Sequence, residues 1–151
     1  MASMFLLITS CKTQKNITHQ QLKQGVEGYV QEYAGNFMPM LNRNHPPSTP
    51  QPKPLATTVY IYEATNLKKV IQINQSPSYS AINTKLIATA QSDSTGYFKV
   101  NLPVGKYSLF IKQNGNFYAN SFDEKNNIAL VVVNENVFTK VTIKADVNAT
   151  Y

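Results

Sequence analysis

Gln91-Ser92-Asp93-Ser94-Thr95-Gly96-Tyr97-Phe98-Lys99-Val100 and, after Asn101, Leu102-Pro103-Val104-Gly105-Lys106-Tyr107-Ser108-Leu109 decide the fold class of this chain. Phe98, Val100 and Leu102 alternate with Lys99 and Asn101, and Tyr107, Leu109 and Ile111 oppose Ser108, Phe110 and Lys112. A period of two puts one apolar face into a core and one polar face into water, the pattern of an antiparallel strand covered on one side. Asp93-Ser94-Thr95-Gly96 reads as a hairpin turn in which Gly96 supplies a positive φ, and Pro103-Val104-Gly105 as a second tight connection. Phe98 is then the core plug beneath the first turn. Tyr107 opens the returning strand, its hydroxyl within reach of a backbone partner.

The same period runs outward from this pair. Val59, Ile61 and Glu63 alternate with Tyr60 and Tyr62, and Val141, Ile143, Ala145 and Val147 oppose Lys140, Thr142, Lys144 and Asp146. Asn114-Gly115-Asn116 is a third turn. Short alternating runs joined this often predict an all-β, antiparallel β-sandwich of about seven or eight strands. They are expected near 26–33, 57–63, 69–74, 84–91, 96–102, 106–113, 128–133 and 137–147. Thr18 to Gly25 is the one stretch with room for a polar helical turn or two.

Composition narrows the function classes. The chain has 151 residues and a net charge of +6, with thirteen Lys, one Arg (Arg43), sixteen Asn, one Cys, two His and no Trp. One Cys excludes a disulfide within the chain and a Cys-based zinc site. His19 and His45 lie in no metal-binding pattern, and no nucleophile elbow, P-loop or GxGxxG is present, so no catalytic residue, cofactor or metal is expected. A lone Arg and dispersed Lys read as solvated surface and argue against a nucleic-acid partner. Asp123-Glu124, beside Lys125, reads as a solvated loop, with calcium as the lesser alternative.

Six of the eight prolines fall between Pro39 and Pro54. Proline lacks the ladder donor, so 39–54 is expected as a loop of polyproline II character, either a spacer over a sheet edge or a ligand for a partner's aromatic groove. Gly115 to Phe122 brings Phe117, Tyr118 and Phe122 among Asn116, Asn120 and Ser121. Phe117, Tyr118 and Asn120 are therefore candidate contacts for a protein partner or a carbohydrate; alternatively Phe117 and Phe122 plug the sandwich end.

Met4-Phe5-Leu6-Leu7-Ile8-Thr9-Ser10-Cys11 is an apolar run, too short to span a bilayer, that ends in small residues before the Cys. Leu7-Ile8-Thr9-Ser10-Cys11 resembles a bacterial lipobox, which implies lipid attachment at Cys11 and a membrane anchor. The other reading is a buried N-terminal strand with an inert Cys. No acid follows in Lys12-Thr13-Gln14-Lys15-Asn16, and the resemblance to Bacteroidetes lipoproteins then implies an outer-membrane anchor facing the periplasm rather than the cell surface.

The order of motifs in 91–109 resembles the carboxypeptidase regulatory-like module, a T/S-D-x-x-G-x-F-x-V strand followed by a P-x-G-x-Y turn. Gly25-Val26-Glu27-Gly28-Tyr29-Val30, the turn Gly35-Asn36-Phe37-Met38-Pro39 and Val59-Tyr60-Ile61-Tyr62 are similar to its first strands, so the resemblance spans about 25–147. It implies a transthyretin- or prealbumin-like (Ig-like) sandwich and a non-catalytic folding or docking role. The expected organisation is a truncated lipoprotein signal with its lipobox Cys over 1–11, a polar tether over 12–24 and the sandwich over 25–151. The expected role is a lipid-anchored, non-enzymatic envelope adaptor for an outer-membrane or periplasmic protein; a glycan- or small-ligand-binding lipoprotein using 115–122 is the alternative.

Overall fold

A computed structural model describes residues 22–38 and 51–150. Cys11, His19, His45, most of the 12–24 tether and residues 39–50 of the Pro-rich loop lie outside the described residues.

The chain is an all-β sandwich. In chain order the strands are β1 (Gly25–Asn36), β2 (Lys53–Pro54), β3 (Thr58–Glu63), β4 (Val70–Gln72), β5 (Ser78–Ile82), β6 (Leu86–Gln91), β7 (Tyr97–Asn101), β8 (Gly105–Gln113), β9 (Asn116–Tyr118), β10 (Leu130–Val133) and β11 (Phe138–Thr150). In the smaller sheet β1 is central, with β11 along one edge and β7 followed by β2 along the other. In the larger sheet β8 pairs β3 on one side, and β3 pairs β6. Along its other side β8 pairs β10 with its first half and β9 with its second, and β9 leads on to β5 and β4.

Three expectations change. Among the described residues there are eleven strands rather than about eight, because β2, β5 and β9 are short. One pair, β1 with β11, is parallel, with Gly28 opposite Val141 and Tyr29 opposite Thr142. These are the first and last of the described strands in chain order, so no hairpin dictates their direction. Finally, neither 93–96 nor 103–105 closes a hairpin. Each is an arch that carries the chain between sheets, since β6 and β8 belong to the larger sheet and β7 to the smaller. Asn114-Gly115 does close a hairpin, with φ of 52° and 80° joining β8 to β9, the two-residue geometry that matches strand twist.

Local chemistry explains the first arch. Asp93 Oδ1 accepts from Thr95 N (2.8 Å), Thr95 Oγ1 (2.6 Å) and Tyr97 N (3.1 Å). These bonds, the hydroxyl of Thr95 first, hold the carboxyl below its usual pKa. Gly96 sits at φ +78°, and a Cβ there would lie 2.4 Å from Val30 O; Val30 N donates to Gly96 O at 2.8 Å. In the second arch the Tyr107 hydroxyl donates to Pro103 O at 2.8 Å.

The core between the sheets holds Val26, Val30, Val59, Ile61, Phe98, Leu102, Tyr107, Leu109, Ile111, Val131, Val133 and Ala145. A second core lies on the opposite face of the larger sheet, where Tyr62, Tyr79, Phe110, Ala119 and Ile128 are covered by Leu67, Val70, Ile82 and Phe117. This corrects the expectation that Ser108 and Phe110 face water. Both are fully buried, and Thr65 N donates to Ser108 Oγ at 2.9 Å, which meets the need of a buried hydroxyl for a partner. Gly35, expected in a turn after the first strand, lies within β1. Lys53-Pro54 forms an edge pairing with Gln31 and Glu32, where a missing N–H is tolerated. Gln24, expected in the tether, is buried and accepts from Asn136 N at 3.0 Å.

Candidate functional site

The segment 115–122 does not form an aromatic contact loop. Asn116–Tyr118 is strand β9, paired with both β8 and β5. Tyr118 is 2% exposed, and its hydroxyl bonds Asp146 of β11, tying the larger sheet to the smaller. Phe117 is half-buried and edge-on to Tyr60 at 5.4 Å and Tyr62 at 5.8 Å, with Lys112 Nζ 5.2 Å above its ring. Its role is to cover the second core. Asn120 alone of the three is exposed, with Nδ2 3.4 Å from both Asp146 oxygens. Tyr118 is thus corrected from a contact residue to a core residue, and Phe117 to a packing one.

Phe122 stays exposed in that segment, but a row of outward-facing tyrosines lies on the outer face of the smaller sheet. The inward residues of β1 are Val26, Gly28 and Val30, so Glu27, Tyr29 and Gln31 point outward. Register then builds rows from three remote segments. Lys99, Glu27 and Lys140 form one row, Tyr97, Tyr29 and Thr142 the next, and Gln31 and Lys144 a third.

Tyr29 is 49% exposed, and its ring lies 5.5 Å from that of Tyr97 at an interplanar angle of 60°. The Tyr97 hydroxyl donates to Glu27 Oε2 at 3.0 Å, and Lys99 Nζ lies 3.4 Å from the same oxygen. The bond from Tyr97, followed by the Lys99 ammonium, holds the Glu27 carboxyl below its usual pKa; in return the carboxylate pushes the Tyr97 phenol up. Glu27 is therefore a fixed anion with acceptor capacity left over. Further along, Tyr33 donates to Gln31 Oε1 at 3.2 Å, stacks obliquely with Phe37 at 5.5 Å, and carries Lys144 Nζ 5.5 Å from its ring. Lys99 also lies 3.8 Å from the Phe138 ring.

Two depressions border this face. One, of about 440 Å³, is lined by Glu27, Gly28, Tyr29, Tyr97, Lys140, Val141 and Thr142. The other, of about 460 Å³, opens between β10 and β11, with a floor that includes Leu109, Val131 and Ile143 and a rim of Asn120, Ser121, Lys144 and Asp146. Val141 and Thr142 border both, so the two meet across β11. Rigid strands present every one of the face residues, which suits binding without rearrangement.

Among the described residues no cluster of three or more His, Cys, Asp or Glu is placed to hold a metal, and no helix is long and apolar enough to cross a membrane. The sequence signal for this face was the pair of tyrosines at outward positions of alternating strands, Tyr29 and Tyr97. Aromatics there are unusual on a solvated face, and they outrank a ring-rich segment whose strand character is hidden by its Asn residues.

No family model matches the chain, and no curated protein matches it. Among solved structures, the chain is similar to a Pseudomonas aeruginosa protein named a "putative carbohydrate binding protein". The likeness covers 83% of this chain and 90% of that one, at 16% identity and a TM-score of 0.46.

Proposed function

We propose that this protein is a non-catalytic carbohydrate-binding module of the bacterial cell envelope, anchored by a lipid on Cys11, with the outer face of β1, β7 and β11 as its binding surface. The observation that carries the reading is the pair of exposed Tyr29 and half-buried Tyr97 on an outer sheet face, beside a fixed carboxylate and flanked by Lys140 and Thr142. A sugar ring offers an apolar C–H face and an equatorial rim of hydroxyls. Tyrosine rings stack on the first, and Glu27, Gln31 and Thr142 accept from or donate to the second. The resemblance of 91–109 to a module without catalysis supports a binding role, and the lipobox-like Leu7-Ile8-Thr9-Ser10-Cys11 supports the envelope setting.

The test is an oligosaccharide array followed by calorimetry with the full chain. Tyr29→Ala is expected to weaken binding by about tenfold or more, equivalent to about 1.4 kcal/mol. The unfolding free energy should stay within about 0.5 kcal/mol, because the residue is half exposed and away from the core. Absence of any glycan ligand, or unchanged binding by the variant, overturns the reading. Stoichiometric co-purification with a membrane protein through this face would establish the adaptor role instead. Intact mass tests anchoring by itself, and an unmodified Cys11 with residues 1–10 retained would refute it.

A further inference from the structure

We infer that the carbohydrate bound by this face is anionic, an oligosaccharide bearing carboxylates, with Lys140 and Lys144 as the residues that select it. The inference rests on the carbohydrate reading and adds the ligand's charge and length. Glu27, Lys99, Lys140 and Lys144 face outward in the rows of the two tyrosines, with Asp146 on the rim of the cleft beside Lys144 and Asp93 next to Tyr97. Glu27 and Lys99 hold each other at 3.4 Å. Glu27 also feels the field of Lys140 across the row, but its carboxylate is already engaged by Tyr97 and Lys99. Lys144 lies over the Tyr33 ring. Asp146 shares its cleft, but that carboxylate is held by Tyr118 and Asn120, and the Asp93 carboxylate beside Tyr97 is held within its own arch. Among the described residues neither Lys140 nor Lys144 has a carboxylate at ion-pair distance, and a ligand bringing carboxylates supplies one.

Position argues for the same ligand. Lys140 borders the depression at Tyr29 and Tyr97, whereas Lys144 borders the cleft between β10 and β11. Both are exposed, and they stand four residues apart on one strand with Thr142 between them. That separation is about 13 Å along the strand. It exceeds a single sugar ring, so both lysines are reached together by an oligosaccharide that crosses β11 where the depressions share Val141 and Thr142. The tilted Tyr29 and Tyr97 rings position the sugars, and each ammonium then meets an acidic substituent as a charge-assisted hydrogen bond.

The experiment compares a tetrasaccharide of uronic acid units with its neutral, carboxyl-reduced counterpart by calorimetry on the full chain, at low and at moderate salt. The acidic ligand is expected to bind about tenfold more tightly at low salt, two surface ion pairs each contributing a few-fold, and salt should narrow the gap. In Lys140→Gln/Lys144→Gln the ratio of acidic to neutral affinity should fall to about one. Both side chains are exposed, so circular dichroism should show the fold unchanged. Equal affinity for both ligands, or a preference that survives in the double variant, refutes the charge selection and leaves the carbohydrate reading standing. Failure of both ligands to bind, with neutral glycans bound elsewhere on the array, also refutes it. Failure of every glycan overturns the carbohydrate reading itself.

Discussion

Gly28→Ala should be among the most damaging single methyls that can be added to the described residues. Gly28 lies on β1 opposite Val141 of β11, and a Cβ placed there would fall 1.8 Å from Val141 O and 3.1 Å from Val141 Cγ2. The first neighbour is backbone and has no rotamer to change. Restoring ordinary contact requires β1 and β11 to part by roughly 1.4 Å on a spacing of about 4.8 Å, which takes neighbouring N–H···O bonds past hydrogen-bonding range. Two lost ladder bonds at about 1 kcal/mol each, with about 1–3 kcal/mol of overpacking strain, give a destabilisation of about 3–5 kcal/mol. A domain of this size has about 5–15 kcal/mol in all. Urea unfolding followed by far-ultraviolet dichroism is the assay, since the chain has no Trp to report by fluorescence. Gly115→Ala is the control. Nothing lies within 4 Å of a Cβ there, so only the left-handed φ is penalised, by about 1–2 kcal/mol. A Gly28→Ala protein within 1 kcal/mol of the parent would mean that β1 and β11 do not pair in this register. On the proposed carbohydrate reading, the same variant should also weaken glycan binding even where folded, because the strand separation pulls Tyr29 from Thr142 and Glu27 from Lys140.

Tyr118→Phe removes the hydroxyl that bonds Asp146 and should cost about 1.5 kcal/mol, the low end for a bond to a charged partner because Asp146 is half-buried; a chemical melt unchanged within 0.5 kcal/mol would show the tie between sheets to be dispensable. Stability should also fall at both pH extremes, as read from thermal midpoints across pH. Glu27, Asp93 and Asp123 have folded pKa values below their ordinary 4.5, 3.8 and 3.8, so their contribution is complete above those values and is lost as pH drops through the folded ones. Burial pushes the Tyr79 phenol from 10.0 to about 12, so its contribution is complete below pH 10 and is lost as pH climbs toward 12; a midpoint flat from pH 7 to 12 would refute that.

Strand identity was legible wherever one face of a strand meets water. β7 reads as alternating because Lys99 and Asn101 are solvated while Phe98 is buried. β8 has the same letters to the eye, yet its second face is buried too, and Phe110 gives no local hint that Tyr62 and Tyr79 will pack on it at 5.7 and 5.9 Å. Turn identity was less legible than turn existence. Asp93-Ser94-Thr95-Gly96 has hairpin chemistry and makes an arch, because what decides the matter is that Phe98 pairs with Gly28, seventy residues earlier in the chain. No property of residues 93–96 carries that information. The short β9 was hidden for a related reason: Asn116-Phe117-Tyr118 has loop-like composition, and its strand state comes from being clamped between β5 and β8.

The proposed binding face follows from the same non-local pairing. Each of its rows takes one residue from β1, one from β11 and, at its β7 end, a third, so Glu27, Lys99 and Lys140 meet only once β1 pairs with β7 on one side and with β11 on the other. Gly28 on the inner side of β1 is what lets β11 approach, and the approach is what brings Lys140, Thr142 and Lys144 into line beside Tyr29 and Gln31. Local motifs do not reveal it because its residues are divided among three remote segments, β1, β7 and β11. The alternation of β11, with Val141, Ile143 and Ala145 inward and Lys140, Thr142 and Lys144 outward, looks like ordinary solvation when that strand is taken alone. It becomes a selective surface only beside two tyrosines and an engaged carboxylate. The charge of +6 that composition left as dispersed lysine thus acquires, for two of those lysines, a place and a role that affinity measurements on Lys140 and Lys144 decide.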